Sequence, residues 1–164
     1  MPFRDTIKEY RRAADYRLAD ARELMETPTR ESHRSDAKQR HLRGAMYLAG
    51  YAVECLLKAY LIQHMSEQTL VAAMESLNKR RKRQGQSPVR NIARTAAGHE
   101  IAYLSQLTDL QTAYVTYDVK LWGRLGAWRS AWRYETERVL LPDAQEFLED
   151  VEAAVNWLQP KIGV

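Results

Sequence analysis

Glu54 and Lys58 stand in the middle of the most apolar stretch of the chain, YLAGYAVECLLKAYL, from Tyr47 to Leu61. Four residues apart with the acid N-terminal to the base, they lie one helical turn above the other in the orientation that favours an ion pair. Tyr47, Gly50 and Leu61 fall on or beside the same stripe. The spacing leaves two readings open. In one the pair is desolvated, a structural or interface device that fixes register or a partner, because a buried pair is weak evidence for stability. In the other it is a solvated stripe on a half-exposed helix.

Other chemistries find little support. His33, His41, His64 and His99 have no partner at ordinary zinc-ligand spacing, and Cys55 is alone. No metal site and no cofactor are expected. There is no Gly-rich phosphate loop, and the serines lack a nucleophile-turn context. Charge is more telling. Between Asn78 and Gly98 stand Lys79, Arg80, Arg81, Lys82, Arg83, Arg90 and Arg94, with no acid among them. Removing these seven leaves 18 basic residues against 21 acidic, so this segment accounts for the net +4. Such a basic insertion, at about 78–98, reads as a phosphate-contacting element; the alternative is a solvated helix end whose cations favour the C-terminal dipole. Trp122, Trp128, Trp132 and Tyr134 alternate with Arg124, Arg129 and Arg133. These rings either stack bases or form core and dimer contacts, and tryptophans at this density favour the latter.

The elements that must position these residues are helical throughout, and strand alternation is scarce. Ile7, Tyr10, Ala14, Leu18, Ala21 and Leu24 recur at three- and four-residue steps, and Thr6 with Glu9 fits a capping box. The polar segment from Thr27 to Asp36, with Pro28, predicts a connection. A long helix follows from about Ala37 to Met65, then another over roughly Glu67 to Arg83 carrying Leu70, Met74 and Leu77. Gly85 and Pro88 break the pattern. Helical spacing returns after Gly98 with Ile101, Leu104 and Leu107. The last helix is expected to begin at Pro142 and to face inward with Phe147, Val151, Val155 and Leu158.

A chain of 164 residues with 45% hydrophobic content predicts a single domain, 1–164, able to bury one core. The charged N-terminus has no apolar segment of the secretory kind, and a lone cysteine suits the cytoplasm. Ala45 to Ile62 is long enough to suggest a membrane span, but its central Glu and Lys are costly in lipid, so a buried core helix is expected instead.

The string YLAGYAVECLLKAYL resembles the signature helix of HEPN domains, an apolar helix with a Gly-Tyr-Ala-Val-Glu core followed by Leu-Lys-Ala. TAAGHEIAYLSQL, from Thr95 to Leu107, is similar to the family's segment in which a His opens a helix. WRSAWRYETE, from Trp128 to Glu137, resembles its late Trp and Arg-Tyr-Glu element. The insertion LNKRRKRQGQSPVRNIAR has no counterpart in that pattern. The resemblance implies an all-α bundle of four or five helices, frequently a homodimer, with members of different activity. Some are metal-independent ribonucleases, including toxins with antitoxin partners, whose site pairs an Arg with a His four to six residues later at a dimer cleft. Others are non-catalytic nucleotide-binding or partner modules beside nucleotidyltransferases.

Metal-free RNA cleavage needs a base for the 2′-hydroxyl, an acid for the leaving oxygen and a cation for the phosphate, roles that suit His and Arg. Arg94 and His99 match the ribonuclease spacing and are the candidate catalytic pair, although Thr95 follows the Arg where those enzymes commonly carry Asn or Asp. Arg34 and His41 also fit the spacing. The competing expectation is that His99 caps or packs the start of its helix. The function expected is therefore that of a HEPN-family protein acting on or binding RNA, with a homodimer as its assembly and no membrane partner.

Overall fold

The structure, a computed structural model, describes residues 5–30, 35–89, 99–108, 110, 118–135 and 137–163, with the backbone alone at 27–30, 35–40 and 133. Among the described residues are six α-helices and no strand. They are α1 (Ile7–Arg30), α2 (Ser35–His64), α3 (Leu70–Arg83), α4 (Ile101–Leu107), α5 (Val119–Gly126) and α6 (Leu141–Leu158). A 3-10 turn at Ser130–Tyr134 lies between α5 and α6, and a second, Gln159–Lys161, ends the last helix.

The long apolar helix α2 is the axis of the bundle. Leu56, Leu57, Leu61 and Ile62 are buried on it, together with Ala49, Ala52 and Ala59, so nearly its whole circumference is covered. It is long and apolar enough to cross a membrane over His41–His64, with mean hydropathy 1.3, but 72% of that window is already covered by the rest of the chain. A helix apolar all round and surrounded by its own neighbours is a core helix.

Helix α1 lies antiparallel along α2. Leu24 faces Gly44, Arg17 reaches the ring of Tyr51, and Tyr10 lies by Lys58, so positions rise on one helix as they fall on the other. Its buried face is Tyr10, Ala14, Leu18, Ala21 and Met25, at the helical spacing read from the sequence. The helix starts where Thr6 Oγ1 accepts from the Glu9 amide at 3.4 Å. It runs on through Pro28 to Arg30, into the predicted connection. A proline so near a helix end forfeits only one ladder bond, which the helix tolerates.

Helix α6 closes the bundle, antiparallel to α1. Arg22 pairs with Glu152, Gln159 bonds Asp15 and Arg11 bonds the Ile162 carbonyl. Pro142 sits in its first turn, and Phe147, Val151, Val155 and Leu158 face inward. Helix α3 starts later than predicted, at Leu70. Ser66 adopts a left-handed turn conformation (φ 56°), and Thr69 is the true cap, its hydroxyl accepting from the Ala72 amide at 3.3 Å.

Asp118 caps α5 in the same way, accepting from Lys120 N at 2.9 Å and Leu121 N at 3.0 Å. On α5, Arg124 then forks onto the middle of α6, where its guanidinium holds both oxygens of buried Asp150. Trp128, 1% exposed, lies against Gly50 of α2 and stacks on Tyr47 with ring centres 6.0 Å apart. A Cβ at position 50 would stand 2.5 Å from Trp128 Cγ and closer still to its Cδ1 and Nε1, so only glycine lets the indole dock there.

Candidate functional site

Glu54 is entirely buried, and Lys58 is 5% exposed. The turn-to-turn spacing on α2 brings Lys58 Nζ to 2.6 Å from Glu54 Oε1. The solvated-stripe reading of this pair therefore does not hold, because both side chains are buried. Lys58 also lies 6.0 Å from the centre of the Tyr10 ring, the outer limit of a cation–π contact. The Tyr10 hydroxyl in turn donates to Asp5. Burial first, and then that carboxylate, raise the Tyr10 pKa far above its ordinary value.

His99 completes the cluster. Its Nδ1 is 3.0 Å from the same Glu54 Oε1, reached across 45 residues of sequence. The ring does not cap α4; the N-cap position is Glu100, which makes no side-chain capping bond. The side chain is 40% exposed, so one edge rests on a buried carboxylate while the ring stays open to solvent. A carboxylate oxygen accepts and an ammonium only donates, so Oε1 receives both Lys58 and His99. That places the donating N–H on Nδ1 and leaves Nε2 outside this contact. A carboxylate orienting an imidazole in this way recurs where histidine does acid–base work. Glu54 Oε2 is buried with no hydrogen-bond partner among the described residues. An unpaired buried oxygen costs on the order of 1–3 kcal/mol, so the cluster is held at some expense of stability.

The neighbouring groups feel this charge. Burial, reinforced by Glu54, pushes the Cys55 thiol up to about 12, with Lys58 and Arg17 pulling the other way. Burial, then Cys55 and Glu54, likewise push Tyr51 up to about 12. Cys55 is a buried free thiol, and no group of three or more metal-ligating side chains exists among the described residues.

Of the other predicted site residues, Arg34, Arg90 and Arg94 lie outside the described residues, and so does the Arg94 half of the candidate pair. His41 lies on α2, half-buried. Lys79, Arg80, Arg81, Lys82 and Arg83 form the last turns of α3, exposed except for half-buried Arg81. The helix then ends at Gln84, and Gly85 takes a left-handed conformation (φ 68°). The chain folds back onto α3 instead of leaving it: Val89 is buried, and its amide donates to Asn78 Oδ1 at 2.7 Å.

The Trp–Arg region is core on its aromatic side. Trp122 meets Trp157 edge-on at 5.9 Å and Trp132 lies 5.3 Å from Phe147, while Tyr134 is 73% exposed. A cleft of about 710 Å³ opens beside Glu100 and Trp128, and two of the arginines that line it are engaged. Arg43 pairs with Glu135 at 3.3 Å and Arg129 pairs with the same carboxylate at 2.8 Å.

Sequence reasoning paired Glu54 with Lys58 and singled out His99, but missed that the three form one cluster. The only signal was that one acid stands in the most apolar helix and one His follows a glycine before an apolar helix. Comparison with family models, with curated proteins and with solved structures finds no match to this chain.

Proposed function

We propose that the chain is a nucleic-acid-directed protein of the HEPN kind, a cytoplasmic, metal-independent ribonuclease of a toxin or defence system that works as a homodimer. The observation that carries the reading is the hydrogen bond from a half-exposed His99 to a fully buried Glu54. It gives the imidazole of the Arg94–His99 pair a fixed orientation and leaves Nε2 outside that bond. In this reading Nε2 takes the proton of a ribose 2′-hydroxyl, the oxygen attacks the adjacent phosphorus, and the 5′-oxygen leaves as it is protonated. Arg94 stabilises charge on the phosphoryl oxygens, and a second copy of the chain contributes the matching acid. The basic end of α3 draws the strand in.

Lys58 on the same Glu54 oxygen favours a second reading, in which the three side chains are a structural cluster of a non-catalytic module that binds nucleotide or partners a nucleotidyltransferase or antitoxin. Incubation with single-stranded RNA in excess chelator separates the two. The ribonuclease reading expects cleavage by the unmodified protein and none by His99→Ala, with the melting temperature little changed because the ring is half exposed. Absence of cleavage by the unmodified protein refutes it and leaves the module.

A further inference from the structure

The turn that closes α3 meets the end of α4 and the end of α2, and a cavity of about 290 Å³ lies where they converge. We propose that this cavity holds one nucleotide unit, its phosphate on Arg80 and Arg81 and its base among Gln84, Gln86 and Gln106. All five of these side chains line it, and among the described residues no Asp or Glu does. Among the described residues neither arginine is paired with a carboxylate. Arg81 is instead braced by its Nε, which donates to the Ser87 carbonyl at 2.8 Å and leaves its two terminal nitrogens for a ligand.

Two guanidiniums alone would suit any small anion. The three primary amides suit more, since each offers both a donor and an acceptor, the pattern that base edges present. His64, also in the lining, is stacked on Tyr60 with ring centres 6.0 Å apart and planes 14° apart, a flat aromatic ledge of the kind bases lie on. The volume sits at the low end of ligand pockets, ~300 Å³, which suits one nucleotide and excludes a dinucleotide cofactor. The proposal rests on the nucleic-acid reading for the source of that nucleotide, a residue of a strand. Helix α4 begins just after His99 and reaches the cavity at Gln106, a span of roughly 10 Å at 1.5 Å per residue, so a bound strand reaches His99 within a few nucleotides.

Gln84 and Gln106 are exposed and uncharged, so replacing them spares both the fold and the net charge. Binding of a short single-stranded RNA to the full chain is measured by anisotropy over a range of salt, and binding of the four nucleoside 5′-monophosphates and of inorganic phosphate by calorimetry. Gln84→Ala and Gln106→Ala should each weaken RNA and monophosphate binding by about tenfold, the order expected for one lost hydrogen bond, without changing the salt slope. Lys82→Ala, by contrast, should flatten that slope. RNA binding that is unchanged in both glutamine variants overturns the cavity proposal and leaves the nucleic-acid reading standing. Glutamine-sensitive monophosphate binding without RNA binding supports the cavity as a free-nucleotide site and overturns the strand reading. Binding of neither, or inorganic phosphate binding as tightly as the monophosphates, overturns the proposal.

Discussion

Lys58→Met is the substitution that most directly probes why an apolar helix carries charge. It removes the ammonium 2.6 Å from Glu54 Oε1 and keeps the stem's volume. What remains is a carboxylate with no solvent exposure, one oxygen held by His99 at 3.0 Å and the other without a partner among the described residues. Breaking a buried pair from one side costs about 3–5 kcal/mol. For a domain of this size that lowers the melting temperature by roughly 6–20 °C, at about 2–4 °C per kcal/mol. Glu54→Leu strands the ammonium with little but the Tyr10 ring and should cost a similar amount. The double variant Glu54→Leu with Lys58→Met removes both charges and the orphan oxygen together, and should fall within about 2 kcal/mol of the unmodified protein. Urea titrations of all four proteins, with matching m-values, give the cycle; the coupling should be about 3 kcal/mol or more. Single variants that each cost less than about 1 kcal/mol, or a double variant that loses the sum of the singles, refute the reasoning.

Gly50→Ala drives a methyl into the Trp128 ring and should cost at least the ~1–3 kcal/mol of core overpacking; Trp128→Leu in the same chain should recover part of it, both read by denaturant titration. Arg124→Ala leaves Asp150 buried without its fork, and because the guanidinium is itself 42% exposed the loss should be smaller than for a fully buried pair, about 1–3 kcal/mol, with Arg124→Lys intermediate. The Cys55 thiol, raised from 9.0 to about 12, should resist alkylation at pH 8 until the chain is unfolded. A raised pKa means that the folded state keeps its proton longer, so this contribution to stability is full below about pH 9 and lost as the pH climbs toward 12, which alkaline unfolding of Cys55→Ala beside the unmodified chain would show.

The helical class was legible because hydrophobic spacing is a local property. Ile7 through Leu24 and Phe147 through Leu158 announce their buried faces within a few turns, and Pro142 marks its helix start. The ends of helices were less so. Thr69 and Asp118 act as caps through bonds to amides three residues on, and many threonines and aspartates stand before apolar runs without doing so. The site was half legible: spacing on one helix joins Glu54 to Lys58, but nothing in the order of residues joins Glu54 to His99, which stands just ahead of another helix. The same holds for Gly50 and Trp128, whose contact explains the glycine only once the late segment is in place.

The first helix is fastened to the last. Arg11 to the Ile162 carbonyl, Asp15 to Gln159 and Arg22 to Glu152 are contacts between residues 130 to 151 positions apart, and α2 waits on Trp128 to fill the space above Gly50. Helical bundles built from neighbouring helices owe their fast folding to short-range contacts, and loops this long must close before they repay their entropy. During synthesis the α1–α2 hairpin emerges before α6, so one side of its apolar surface is at first uncovered. Until α6 follows, the nascent chain is an adhesive half-bundle, a state in which chaperones or a second nascent copy meet the very surface that α6 later hides.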